Sequence, residues 1–158
     1  MNLKLVGKQY GAFQYKIGLE KMREFSYVVA GGSPAIGFTG PPEGLNPLLW
    51  NQEAAKAGPH GEVIAFPTFC VTFAISAFSA AISDPELNLN LLMLVHGEQD
   101  FEFFDVMRDG DVMTTTGVIK DLYSRAGKDF VIVQTESKNQ HGKLVVRGTW
   151  TAVVRNEG

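Results

Sequence analysis

Residues 66–82, from Phe66 to Ile82, run without a single charged side chain. Nothing else constrains the fold as strongly, because a segment this apolar must be enclosed by the rest of the molecule. Two periodicities compete within it. Phe69, Val71, Phe73, Ile75 and Ala77 alternate as a strand would, whereas Thr68, Thr72, Ser76, Ser79 and Ser83 step by four and three along one helical stripe. Seventeen residues is long for a strand, Pro67 suits a first helical turn, and Ser83-Asp84-Pro85 makes a stop. The spacing predicts a helix over 66–82, buried on most of its circumference. It falls short of a bilayer crossing and hydroxyl residues interrupt it, so no membrane span is expected.

The flanking segments supply something to wrap around that helix. Phe13, Tyr15 and Ile17 alternate as a short opening strand, and Leu19, Met22, Ser26 and Val29 then recur at helical spacing. Gly31-Gly32-Ser33-Pro34 closes this first helix, and the glycine- and proline-rich stretch 31–47 reads as a long irregular loop. After residue 82 the chain becomes rich in Val, Ile, Thr and aromatics. Strands are expected over 91–104, 111–123, 130–137 and 143–155, separated by turns at Arg108-Asp109-Gly110-Asp111, at 125–129 and at Asn139-Gln140-His141-Gly142. Short turns imply antiparallel neighbours, so the last three strands form a meander. The expected class is α+β, a curved antiparallel sheet around a long apolar central helix, in one domain over 1–158.

Composition narrows the function. A net charge of −3, with Lys and Arg scattered, offers no basic patch for nucleic acid. The single Cys70 excludes an intrachain disulfide and a Cys-based zinc cluster. That cysteine usage suits a reducing setting, so the expected localisation is cytoplasmic, and the first ten residues show no apolar core of a signal peptide. His60, His96 and His141 do not stand at metal-ligand spacing, and neither metal nor cofactor is expected.

One stretch carries a family resemblance. Gly44-Leu45-Asn46-Pro47-Leu48-Leu49-Trp50-Asn51, continuing to Ala55, resembles the hydratase signature of the MaoC-like dehydratase family, roughly Asp-x-Asn-Pro-(Ile/Leu)-His-x-Asp-x-x-x-Ala. Asn46, Pro47, Leu48 and Ala55 keep its frame. Gly44 stands where the Asp belongs and Leu49 where the His belongs. Val6-Gly7-Lys8, Glu20 to Phe25, Phe66-Pro67-Thr68-Phe69, His96-Gly97-Glu98-Gln99 and Arg108-x-Gly110-Asp111 are similar, in order, to the N-terminal-type, fatty-acid-synthase-like domain of that family. The resemblance implies a hot-dog fold acting on acyl groups carried by coenzyme A or acyl carrier protein. Catalytic members add water to a 2-enoyl thioester or remove it from the (R)-3-hydroxyacyl form. With no acid–base pair, this chain resembles the degenerate mate of a catalytic MaoC-like subunit. A second copy of itself is the alternative partner. The resemblance further implies a substrate channel at Asn46, Trp50, Phe66, Thr68, Phe69 and His96, with backbone donors near Thr68 and Phe69.

Other residues offer weaker chemistry. His60 reads as a solvated loop residue, and His96 as a strand histidine bound in the core or an interface. Cys70 reads as an inert buried thiol. Trp50 either lines the acyl path or anchors its loop on the core. Glu98, Asp100 and Glu102 alternate with Phe101 and Phe103, a pattern of one solvated and one buried sheet face. A self-sufficient hydratase or thioesterase with relocated groups would have to draw on Glu62 or His96. A homodimeric module that binds acyl thioesters without chemistry is the third reading.

Overall fold

The computed structural model describes residues 1–33, 37 and 40–155. In chain order it contains β1 (Gln9–Lys16), α1 (Leu19–Val29), α2 (Gln52–Lys56), α3 (Val71–Ile82), β2 (Leu94–Phe103), β3 (Val112–Arg125), β4 (Lys128–Lys138) and β5 (Leu144–Arg155). The strands make one antiparallel sheet in the order β1-β3-β4-β5-β2. The expected meander is present as β3-β4-β5. Both strands that precede it in the chain lie at the edges, and α3 packs against β1, β3 and β4. This is the hot-dog arrangement.

Local chemistry explains the boundaries. Gly32 N–H reaches Tyr27 O at 2.8 Å and Gly31 N–H reaches Val28 O at 3.0 Å, which ends α1 in a Schellman motif with Gly31 at φ +90°. Of the loop beyond it, Pro34 lies outside the described residues. The β3–β4 turn is tighter than the expected 125–129, because Ala126 and Gly127 both adopt positive φ and close the hairpin in two residues. Strand β2 starts three residues later than expected, since Asn90 accepts from Leu92 N–H and folds Leu91–Met93 into a 3-10 turn.

The central helix also differs from expectation. Pro67–Cys70 is a 3-10 turn, and α-helical geometry begins only at Val71. Phe73, Ala74, Ala77, Phe78 and Ala81 are buried, but Ile75, Ser76 and Ser79 are exposed. The helix is therefore covered on about half of its circumference, because the sheet curves past one side only.

One glycine lets the helix approach and a second makes room for an indole. Tyr10, Gly117, Thr135, Gly148 and Phe101 are register partners in a row across all five strands. A Cβ on Gly117 would stand 3.2 Å from Ala77 Cβ, and one on Gly148 would stand 2.7 Å from Trp150 Nε1. The Trp150 indole fills the space left over Gly148 and donates to Thr135 Oγ1 at 3.0 Å. It stacks on Phe78 with ring centres 5.0 Å apart. Burial of this one side chain, 1% exposed, removes roughly 150–250 Å² from water.

A polar clamp ties the N-terminal segment to the end of α3. Lys8 Nζ and Tyr10 OH both approach Asp84 Oδ2 at 2.6 Å, and Asp84 Oδ1 accepts from Glu86 N–H. The hydrogen bonds from Lys8 and then Tyr10 hold the Asp84 carboxyl down at about 2.

Candidate functional site

The loop before α2 is two asparagine-capped turns in succession. Asn46 Oδ1 accepts from Leu48 N–H at 3.0 Å and, with Pro47 at the first position, sets the 3-10 turn Pro47–Leu49. Asn51 Oδ1 accepts from Ala54 N–H at 3.0 Å and starts α2. Asn46 thus serves the backbone of its own loop. Gly44 is exposed, at φ +81°, with open space where a side chain would be. Leu49 is 9% exposed and belongs to the core. Neither residue can transfer a proton.

Trp50 leaves this loop toward α1. Its ring lies 6.2 Å from Tyr27 and 5.9 Å from the Arg23 guanidinium, and Arg23 Nε donates to Trp50 O at 3.1 Å. Of the two readings, the one in which Trp50 anchors its loop has these contacts behind it. Arg23 and Tyr27 are four residues apart and share one face of α1. Phe25 projects from the opposite side and meets Phe66 at 6.4 Å and Phe69 at 5.5 Å. Tyr15 and Phe73 complete an aromatic cluster at the start of α3. Phe69 is fully buried, Phe66 half-buried, and Thr68 exposed. Beside the cluster runs a mainly apolar groove of about 460 Å³, lined by Tyr15, Lys21, Glu24, Phe25, Val28 and Thr72.

The expected residues therefore fall into three places. Asn46 and Trp50 share a loop. Phe66, Thr68 and Phe69 share one turn, and α1 stands between the two groups. His96 is elsewhere: its ring stacks on Trp150 and lies tilted against Phe78, each at 5.7 Å. Phe78 is nine residues beyond Phe69, about 13 Å along the helix. The Phe69 N–H is committed to Phe66 O at 2.8 Å and Thr72 Oγ1 donates to Phe69 O. What sequence reading missed is α1 as the wall between loop and central helix. Its apolar stripe was visible, but Phe25 and Val28 lie beside that stripe.

The remaining candidates are occupied in other ways. Glu62 pairs with Arg108 Nε at 3.1 Å. Asp109 accepts from Leu19 N–H at 2.8 Å, capping α1. Burial pushes the Cys70 thiol up to about 12, so it stays protonated. Among the described residues no cluster of His, Cys, Asp and Glu could hold a metal ion, and no helix is long and apolar enough to cross a membrane.

Strand β2 shows where the enclosure stops. Opposite Val146, Gly148 and Trp150, its residues Phe103, Phe101 and Gln99 face the helix side of the sheet. That side was expected to be buried. Instead Phe103 is 46% exposed and Phe101 and Gln99 are half-buried, because α3 does not extend over this edge. Gln99 Nε2 is enclosed without a hydrogen-bond partner.

Three comparisons bear on this geometry. A family model described as the FAS1-like dehydratase domain region matches residues 4–147. A UPF0336 protein of Streptomyces coelicolor is 36% identical over 151 residues, covering 95% of this chain and 91% of that protein. Among solved structures, a MaoC-like dehydratase aligns with a TM-score of 0.78 at 22% identity, covering 96% of this chain and 42% of its own longer one. The C-terminally truncated HadBC complex of Mycobacterium tuberculosis, a 3R-hydroxyacyl-ACP dehydratase, aligns at 0.71 and 23% identity, covering 94% of this chain and 96% of that chain. These last two likenesses are of fold.

Proposed function

The chain belongs to the FAS1-like dehydratase-domain family, and from that premise we propose that it is a non-catalytic hot-dog subunit. Its partner is a MaoC-like chain that carries the Asp and His. Together they form an enoyl-thioester hydratase, which in reverse is an (R)-3-hydroxyacyl thioester dehydratase. The observation that carries this reading is the loop at 44–55. Both capping asparagines and Pro47 are in place, while an exposed glycine and a core leucine occupy the two positions aligned with the acid–base pair. Hydration of an enoyl thioester needs a carboxylate and an imidazole sharing one water, one taking its proton while the other protonates the substrate α-carbon. In the complex those groups come from the partner.

This chain contributes shape. The groove between α1 and the first turn of α3 offers Tyr15, Phe25, Val28 and Thr72 to an acyl chain. The HadBC fold likeness supports a partnership between hot-dog domains, and β2 has an unpaired edge among the described residues. The acyl thioester enters on coenzyme A or acyl carrier protein.

Hydration of crotonyl-coenzyme A, followed by loss of the enoyl absorbance, tests the assignment. The purified chain is expected to show no turnover. Adding a family member with intact Asp-x-Asn-Pro-x-His restores it. Turnover by the pure chain that disappears in a Glu62→Gln or His96→Gln variant would falsify the proposal in favour of a self-sufficient enzyme.

A further inference from the structure

The edge strand β2 carries a charge pattern with a geometric consequence. Glu98, Asp100 and Glu102 pair with Thr151, Thr149 and Arg147, so all three project from the outer face of the sheet. Arg147 Nη1 reaches Glu102 at 3.4 Å, whereas among the described residues no cation pairs with Glu98 or Asp100. Exposed apolar side chains accompany the row: Leu92 and Val95 at one end, Phe103 and Phe104 at the other. An unpaired edge with such side chains is prone to strand pairing.

Two copies joined along β2 would be related by a two-fold axis perpendicular to the sheet. Cross-strand partners share a face, so outward residues of one copy would oppose outward residues of the other. With the axis at Asp100, that residue opposes its own counterpart and Glu98 opposes Glu102. A shift of one residue either way opposes Asp100 to Glu98 or to Glu102. An axis at Glu98 or Glu102 opposes that residue to itself. Every symmetric register centred between Glu98 and Glu102 therefore sets like charges opposite each other, which is destabilising.

We infer that this acidic row selects the partner. It disfavours a second copy of this chain and favours the edge strand of another hot-dog domain whose outward positions carry Lys or Arg. The inference rests on the reading of the chain as one half of a pair and adds what chooses the other half. Like-charge exclusion combined with opposite-charge attraction is how paired interfaces reach specificity.

Sedimentation at low salt tests it with surface variants whose folding is checked by circular dichroism. Neutralising the row in a Glu98→Gln, Asp100→Asn, Glu102→Gln variant is expected to tighten self-association by about tenfold or more. A Glu98→Lys, Asp100→Lys, Glu102→Lys variant does not pair with itself, yet an equimolar mixture with the natural chain forms a mixed dimer that weakens as salt is added. The inference is overturned if the natural chain self-associates as tightly as the neutral variant, or if the mixture shows no mixed dimer. A natural chain that hydrates crotonyl-coenzyme A unaided would end the catalytic-partner reading, and these association measurements would stand apart from that result.

Discussion

Strands β4 and β2 belong to the same sheet, yet five residues of β4 are buried and none of β2 is. Phe101 and Phe103 of β2 are apolar like Val131 and Val133 of β4, and all four point to the helix side of the sheet, so the difference is one of surroundings. Strand β4 has a neighbour on each side and α3 above it, whereas β2 has one neighbour and an uncovered flank. The centre of this molecule is closed and self-sufficient. The edge exposes apolar side chains without that enclosure, and it is the surface that the proposed partner would cover.

The largest effect should come from the closed half. Trp150→Ala removes the indole packed over Gly148 and against Phe78, and should cost about 3–5 kcal/mol in urea unfolding. A loss near 1 kcal/mol would mean that the centre is looser than its burial implies.

An intermediate effect lies in the clamp that joins β1 to the end of α3, and it appears only in acid. Asp84 is depressed to about 2 by Lys8 and Tyr10, so the folded state holds its carboxylate more firmly than the unfolded chain does. That stability is fully present above the usual carboxylate range near pH 4 and is lost as pH falls through about 2. Unfolding midpoints of the natural chain should therefore fall across this window. In Asp84→Asn the part of the slope due to this residue should vanish, and an unchanged slope would sever the clamp from stability.

The smallest effect on the chain itself should be at the edge. Leu92 is 94% exposed, and Leu92→Ser should leave unfolding within about 0.5 kcal/mol while weakening capture of the partner domain. A large loss of stability in the isolated chain would show that the turn before β2 is already in use internally.

Sequence reasoning reached those features whose causes are local. The Gly31-Gly32 stop, the meander and the apolar helix each follow from periodicity and turn chemistry within a few residues. The half-open helix and the uncovered β2 depend on which strands lie under α3, and no local pattern encodes that order. The clamp joins Tyr10 to Asp84, 74 residues apart, and is equally silent in the sequence. At the candidate site the asparagine-capped loop was legible from Asn46, Pro47 and Asn51. That α1 divides the loop from the aromatic cluster was not, because Arg23 and Phe25 look alike as flanking residues until the helix is docked.

The geometry at residues 44 and 49 also bears on redesign. Leu49 is buried, and Gly44 has a positive φ that side chains rarely adopt. Placing Asp and His at these two positions would set a carboxylate on an unfavourable backbone out in solvent and an imidazole in a buried position. On the proposed reading, proton transfer would not return to this loop by two substitutions alone: the backbone at residue 44 and the burial at residue 49 would have to change as well.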